Sequence, residues 1–166
     1  LTVQVTDSGG LSATAVVPID VDDLNETPVV ADQGFAVDEN SPVGTAVGTV
    51  LASDVDAGDT PAFAILAGNT GGAFAIDAAT GEVTVASPAM LDHETTPQFV
   101  LTVQVTDSGG LADTAVVTID VNDLNETPVV ADQGFAVDEN SAVGTAVGTV
   151  LASDVDVGDT PAFANL

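Results

Sequence analysis

The chain of 166 residues contains no Lys or Arg, a single His and 26 Asp plus Glu, for a formal net charge of −26 and a sequence pI near 4.1. Nucleic acid and anionic membrane surfaces are excluded as electrostatic partners because both would be repelled. Cysteine is absent, so no disulfide braces the fold, and no apolar run approaches the roughly 18 residues that a membrane-inserted helix requires. A divalent cation is the remaining staple for such a chain.

The sequence repeats. Asp23-Leu24-Asn25-Glu26-Thr27-Pro28 recurs letter for letter as Asp123-Leu124-Asn125-Glu126-Thr127-Pro128, one hundred residues later. A period of that length is a domain rather than one turn of a solenoid. Residues 1–66 and 101–166 differ at only seven positions, Ser12/Ala112, Ala13/Asp113, Pro18/Thr118, Asp22/Asn122, Pro42/Ala142, Ala57/Val157 and Ile65/Asn165. The junctions therefore divide the chain into 1–23, the C-terminal fragment of one repeat; 24–126, a complete repeat; and 127–166, the N-terminal fragment of the next.

Within 24–126, strand signals recur about every ten residues between Gly, Asp, Asn and Pro, and predict strands near 29–38, 45–53, 62–67, 73–77, 82–86, 97–106 and 113–122. Phe99, Leu101, Val103 and Val105 alternate with Val100, Thr102, Gln104 and Thr106, which assigns the first set to the core. Ala115, Val117, Ile119 and Val121 answer from the next strand. No helical period is sustained. The expectation is an all-β, seven-stranded Greek-key immunoglobulin-like sandwich in tandem repeats. Segments 1–23 and 127–166 carry about two and three strands without a partner sheet, and are expected to fray or to associate in trans.

The acids cluster. Asp54-Val55-Asp56 precedes Asp59, Asp92-His93-Glu94 forms a second group, and Asp107 precedes Ser-Gly-Gly. Read as extended chain, Asp54 and Asp56 share a face, as do Asp92 and Glu94. Two carboxylates about 5 Å apart repel by about 3 kcal/mol at an effective dielectric near 20. Such pairs converging on one place call for a cation, and calcium fits best because it takes six to eight oxygens flexibly. The acidic linker closed by Pro128 reads either as a joint stiffened by a hard cation or as a solvated connector.

The ordered motifs Glu39-Asn40 with Val43-Gly44-Thr45, Ala52-Ser53-Asp54-Val55-Asp56, Phe74-Ala75-Ile76-Asp77 with Thr80-Gly81, Leu91-Asp92-His93-Glu94, Leu101-Thr102-Val103 to Asp107, and the Asp123–Pro128 linker resemble a cadherin repeat. The likeness is to the bacterial tandem form in particular. It implies calcium ions between successive domains. Carried over by motif, the second junction would use Glu39, Asp92 and Glu94 from above, Asp123, Asn125 and Glu126 from the linker, and Asp154, Asp156 and Asp159 from below. The first would use Asp23, Asn25, Glu26, Asp54, Asp56, Asp59 and Asp107. Its upper-domain ligands would precede Leu1, so weaker binding is expected there. The linker is one residue shorter than the animal Asp-x-Asn-Asp-Asn-x-Pro, which leaves the number of ions per junction open. The absence of Trp rules out a tryptophan-anchored strand exchange. His93, between two ligands, is expected to be merely exposed.

The function these observations favour is a calcium-rigidified extracellular spacer or adhesion repeat of a large bacterial surface or secreted protein. Its partners would be neighbouring repeats of the same chain, with another cell-surface protein or a glycan beyond them. The alternative is a carbohydrate- or ligand-binding module appended to a secreted enzyme, although six Phe are the only aromatic side chains available for stacking. An enzyme is not expected. Without Cys, Lys or Arg the chain offers no recognisable triad or oxyanion clamp, and its carboxylate pairs fall at metal-ligand spacing.

Overall fold

The computed structural model describes residues 1–165. In chain order the strands are β1 (Thr2–Thr6), β2 (Ser12–Val16), β3 (Val29–Val30), β4 (Gln33–Asp38), β5 (Ala46–Thr49), β6 (Ala52–Ser53) and β7 (Ala62–Ala67). They continue as β8 (Phe74–Ile76), β9 (Glu82–Val85), β10 (Gln98–Thr106), β11 (Ala112–Asn122), β12 (Val129–Val130) and β13 (Ala152–Ser153). Two single 3-10 turns, Thr70–Gly72 and Pro88–Met90, are the only helical elements among the described residues.

The expected strands 29–38 and 45–53 each appear in two pieces because the chain changes sheets within them. β3 pairs antiparallel with β6, whereas β4 runs parallel to β11. β5 joins β9 across an irregular register at Val47. Gly48 permits this close approach, since a Cβ there would lie 2.4 Å from the Phe35 ring. The other five strands fall within a residue or so of their expected ends.

The two sheets, β4-β11-β10-β7 and β5-β9-β8, face each other as a sandwich. The alternation read from the sequence fixes the core. Leu101, Val103, Val105, Val117 and Ile119 are fully buried, with Phe99, Ala115 and Val121 nearly so. Phe74 from one sheet meets Phe99 from the other edge to face, with ring centroids 5.1 Å apart and planes at 89°.

β10 and β11 position the candidate sites. β10 has nine residues and so spans about 30 Å at ~3.3 Å per residue. Glu94 precedes its first residue, Asp107 follows its last, and antiparallel β11 returns the chain to Asp123 at the Glu94 pole. The acidic groups are thus sorted to two opposite ends of one sandwich.

On either side, β1 and β2 form a hairpin in the same register as β10 and β11, with Thr2 opposite Val16 as Thr102 is opposite Val116. β12 and β13 repeat the pairing of β3 with β6. Residues 133–138, the counterpart of β4, form no strand. Their counterpart is a strand because β11 lies beside it.

Candidate metal centre at the repeat junctions

The turns that follow β4 and precede β10 bring four carboxylates together beside the second linker. Glu39, Glu94, Asp123 and Glu126 each place an oxygen within 4.8 Å of the others. Asp92 lines the same cavity, about 240 Å³ in volume, together with Asn40, Thr95 and Val155. Glu39 is buried, only 2% exposed, and is pinned through both oxygens: Leu124 N–H donates to Oε1 at 2.7 Å and His93 N–H donates to Oε2 at 2.9 Å. Beyond the linker, Asp154, Asp156 and Asp159 form a second group. Glu126 N–H donates to Asp156 Oδ2 at 2.9 Å and so joins linker to following segment. Asn125 shares a cleft with Asp123, Asp156 and Asp159.

At the opposite pole, Asp23, Glu26 and Asp56 form one cluster and Asp54, Asp59 and Asp107 another. Asn25 bridges towards the second, its Nδ2 donating to Asp107 Oδ2 at 2.8 Å. Glu26 N–H donates to Asp56 Oδ2 at 2.8 Å, the counterpart of the Glu126 bond. Asp59 is held by the Ser108 hydroxyl.

Three expectations are corrected by local geometry. Asp54 and Asp56 do not share a face of extended chain. Asp56 N–H donates to Asp54 Oδ1 at 3.0 Å and closes a turn in place of extended chain; Asp56 groups with Asp23 and Glu26, Asp54 with Asp59 and Asp107, and both line one cavity. Asp92 and Glu94 likewise sit in a turn rather than extended chain, with Asp92 Oδ1 accepting from Thr95 N–H; both line the cavity, and Glu94 also joins the four-carboxylate cluster. His93 is half-buried rather than merely exposed, with its Nδ1 2.6 Å from Val121 O. That carbonyl raises its pKa; burial opposes this, and the charges of Asp123, Glu94 and Glu39 add to the rise.

The electrostatics are those of crowded like charges. Burial, the hydrogen bond with Asp156 and the field of Glu39 push Glu126 up to about 7. Glu26 is also raised, first by its hydrogen bond with Asp56 and then by burial. At Asp107 burial pushes upward, but donation from Asn25 and from the N–H groups of Leu111, Gly110 and Gly109 outweighs it and the value falls. The buried side-chain oxygens without a hydrogen-bond donor among the described residues are Asp54 Oδ2, Asp59 Oδ2, Glu126 Oε2 and Asp156 Oδ1. All four belong to these clusters. Buried oxygens are normally satisfied, and an all-oxygen set with unsatisfied lone pairs fits a hard divalent cation.

Sequence reasoning missed Asn40 as part of this centre, although the Glu39-Asn40 pair was among its motifs. Asn40 Nδ2 donates to Glu126 Oε1 at 2.9 Å across 86 residues. Asn40 takes a positive φ of 57°, which Asn tolerates better than most residues, and its residue type was the only signal in the sequence.

A β-sandwich with acids sorted to its two poles, each set beside a copy of the same acidic linker, defines a class of tandem β-sandwich repeat. The sequence profile of the cadherin domain matches residues 33–122. The chain belongs to the cadherin family. It is 37% identical over 163 residues to the protocadherin-like wing polarity protein stan of Drosophila melanogaster, covering 93% of this chain and 5% of that protein. To human protocadherin Fat 1 it is 36% identical over 168 residues, covering 94% and 4%. The chain thus spans a small fraction of these relatives. Among solved structures, mouse cadherin-23 EC22-24 superposes with a TM-score of 0.65 at 30% identity over 95% of this chain and 53% of that one. The human desmocollin-1 ectodomain gives 0.62 at 28% identity over 93% and 32%. An extracellular location accords with these matches, and no described helix is long and apolar enough to cross a membrane.

Proposed function

We propose that the chain is a calcium-rigidified spacer or adhesion repeat within a large surface or secreted protein, of the bacterial tandem type that its motifs resemble, with residues 24–126 as its one complete repeat. It works mechanically and carries out no catalysis. The observation that carries the reading is the convergence of Glu39, Glu94, Asp123 and Glu126 at a linker already bonded to Asp156, with Glu126 Oε2 buried and unsatisfied.

Glu39, Asp92 and Glu94 present oxygens from the upper domain; Asp123, Asn125 and Glu126 do so from the linker; Asp154, Asp156 and Asp159 do so from below. At the other pole Asp23, Asn25 and Glu26 face Asp54, Asp56, Asp59 and Asp107. A calcium ion supplies the positive charge that cancels their mutual repulsion, and the angle between neighbouring repeats becomes fixed. Pro28 and Pro128 stiffen the entry into each following segment. Affinity of about 0.1–1 mM suits extracellular calcium. Partners are neighbouring repeats first, then another surface protein. A glycan-stacking role gains little support, because Phe63, Phe74 and Phe99 are buried in the core and the exposed Phe135 and Phe163 belong to the fragment after the second linker.

Calorimetric titration of the chain with calcium, paired with small-angle scattering in calcium and in chelator, tests the reading. Saturable binding with extension of the particle is expected. Asp154→Ala abolishes part of the binding, whereas Asp132→Ala, outside the clusters, leaves it intact. Equal curves for both variants would sink the proposal.

A further inference from the structure

We infer that Asn40 is a positioning residue for the linker carboxylate Glu126, an inference that rests on the calcium reading above. A chain without Lys or Arg must fix its carboxylates in some other way. Beside backbone N–H groups and hydroxyls, it uses side-chain amides. Asn25 holds Asp107, Gln98 holds Asp120 and Asn122 holds Asp38, each through a side-chain N–H donated to a carboxylate oxygen at 2.7–2.9 Å. An amide orients a carboxylate without neutralising it, so the charge remains available to a cation. Asn40 applies this device to Glu126. One Glu126 oxygen is occupied by Asn40 at 2.9 Å, while the other is buried without a donor.

Two features separate this role from that of a turn residue. Asn40 also sits at φ 57° with its N–H donating to Leu91 O at 3.2 Å, which is the work of a turn. Its counterpart Asn140 keeps the same kind of backbone, φ 63°, with no corresponding linker beside it among the described residues. The turn therefore forms without the amide contact. The contact spans the turn after β4 to the linker and selects one orientation of Glu126 before any ion arrives.

The test uses Asn40→Gly, which keeps the positive φ at no steric cost and removes the amide, with Asn140→Gly as control. Three measurements are made on the full chain: calcium titration, melting in chelator, and hydrogen exchange of the Leu124 and Glu126 amides in chelator. Glu94→Gln identifies which calcium sites belong to this junction. Asn40→Gly is expected to weaken those sites about tenfold, as loss of an outer-shell partner typically does, and to speed exchange of the linker amides, while the chelator melting temperature stays at the wild-type value. Asn140→Gly changes none of these. Unchanged affinity and exchange in Asn40→Gly would overturn the positioning role even if wild type binds calcium well. A melting loss without faster linker exchange would assign Asn40 to the turn alone and overturn it equally. Failure of wild type to bind calcium would instead remove the reading beneath, and the exchange data alone would then decide whether Asn40 orders the linker.

Discussion

Residues 33–38 and 133–138 have the same sequence and different structures. The first is a strand whose Val37 is 5% exposed; the second has no strand, and Val137 is 54% exposed. Val17, Ile19 and Val21 are likewise exposed where Val117, Ile119 and Val121 are buried. What persists in the flanking copies is local. The β1–β2 hairpin survives because Asp7 Oδ1 accepts from Gly9 and Leu11 N–H across its turn, as Asp107 Oδ1 does from Leu111. The Gln133–Leu151 pair repeats the two bonds of Gln33 with Leu51. What is lost is the pairing of β4 with β11, which joins residues 84 positions apart. Strand formation at these residues is decided by the partner sheet rather than by propensity.

The sharpest way to break the comparison is to cut a side chain in both copies. Leu101→Ala should cost about 2–5 kcal/mol in urea unfolding, as for a fully buried Leu, whereas Leu1→Ala, at 71% exposure, should leave the midpoint within error. Equal effects would mean that the flanking copy is packed in solution. The natural difference at 18 and 118 offers a second test. Thr118 lies in mid-strand between Val100 and Gly34, so Thr118→Pro removes a ladder hydrogen bond and should cost about 1–3 kcal/mol. Pro18→Thr should be silent, because β2 already ends at Val16.

The smallest effect concerns pH. The folded Glu126 value, about 7, stands above its ordinary 4.5. A raised carboxyl favours the protonated, assembled junction, so that stabilisation is fully present below 4.5 and is lost as pH rises through about 7. In chelator, amide protection at Leu124 and Glu126 should therefore fall between about pH 5 and 7.5. Calcium binding near neutrality should release up to about one proton per junction. Protection that rises with pH over that range would contradict the assignment.

The fold was largely legible because its strongest signal was two-residue alternation over long strands. Phe99 to Val105 and Ala115 to Val121 announced both the core and the sheet that carries it. The breaks at Ala31–Asp32 and Val50–Leu51 were not legible, since a change of sheet leaves the apolar pattern nearly continuous. At the junctions, motif order pointed to the acids, but spacing alone read Asp54–Asp56 and Asp92–Glu94 as extended chain where the structure has turns. Short side chains that cap their own turns replace extended chain there, and no period in the sequence records that. The amide of Asn40 was hidden for a related reason: its partner lies 86 residues away.

The parallel pairing of β4 with β11 bears on how the repeat carries load. Chain enters β4 from the Pro28 pole and leaves β11 at the Asp123 pole, so tension applied at the two linkers pulls these neighbouring strands in opposite directions along their length. Six residue pairs, from Val117 with Gln33 to Asn122 with Asp38, resist that sliding together. The ladder is loaded in shear rather than peeled open one bond at a time, the arrangement in which a sheet of ordinary stability yields last.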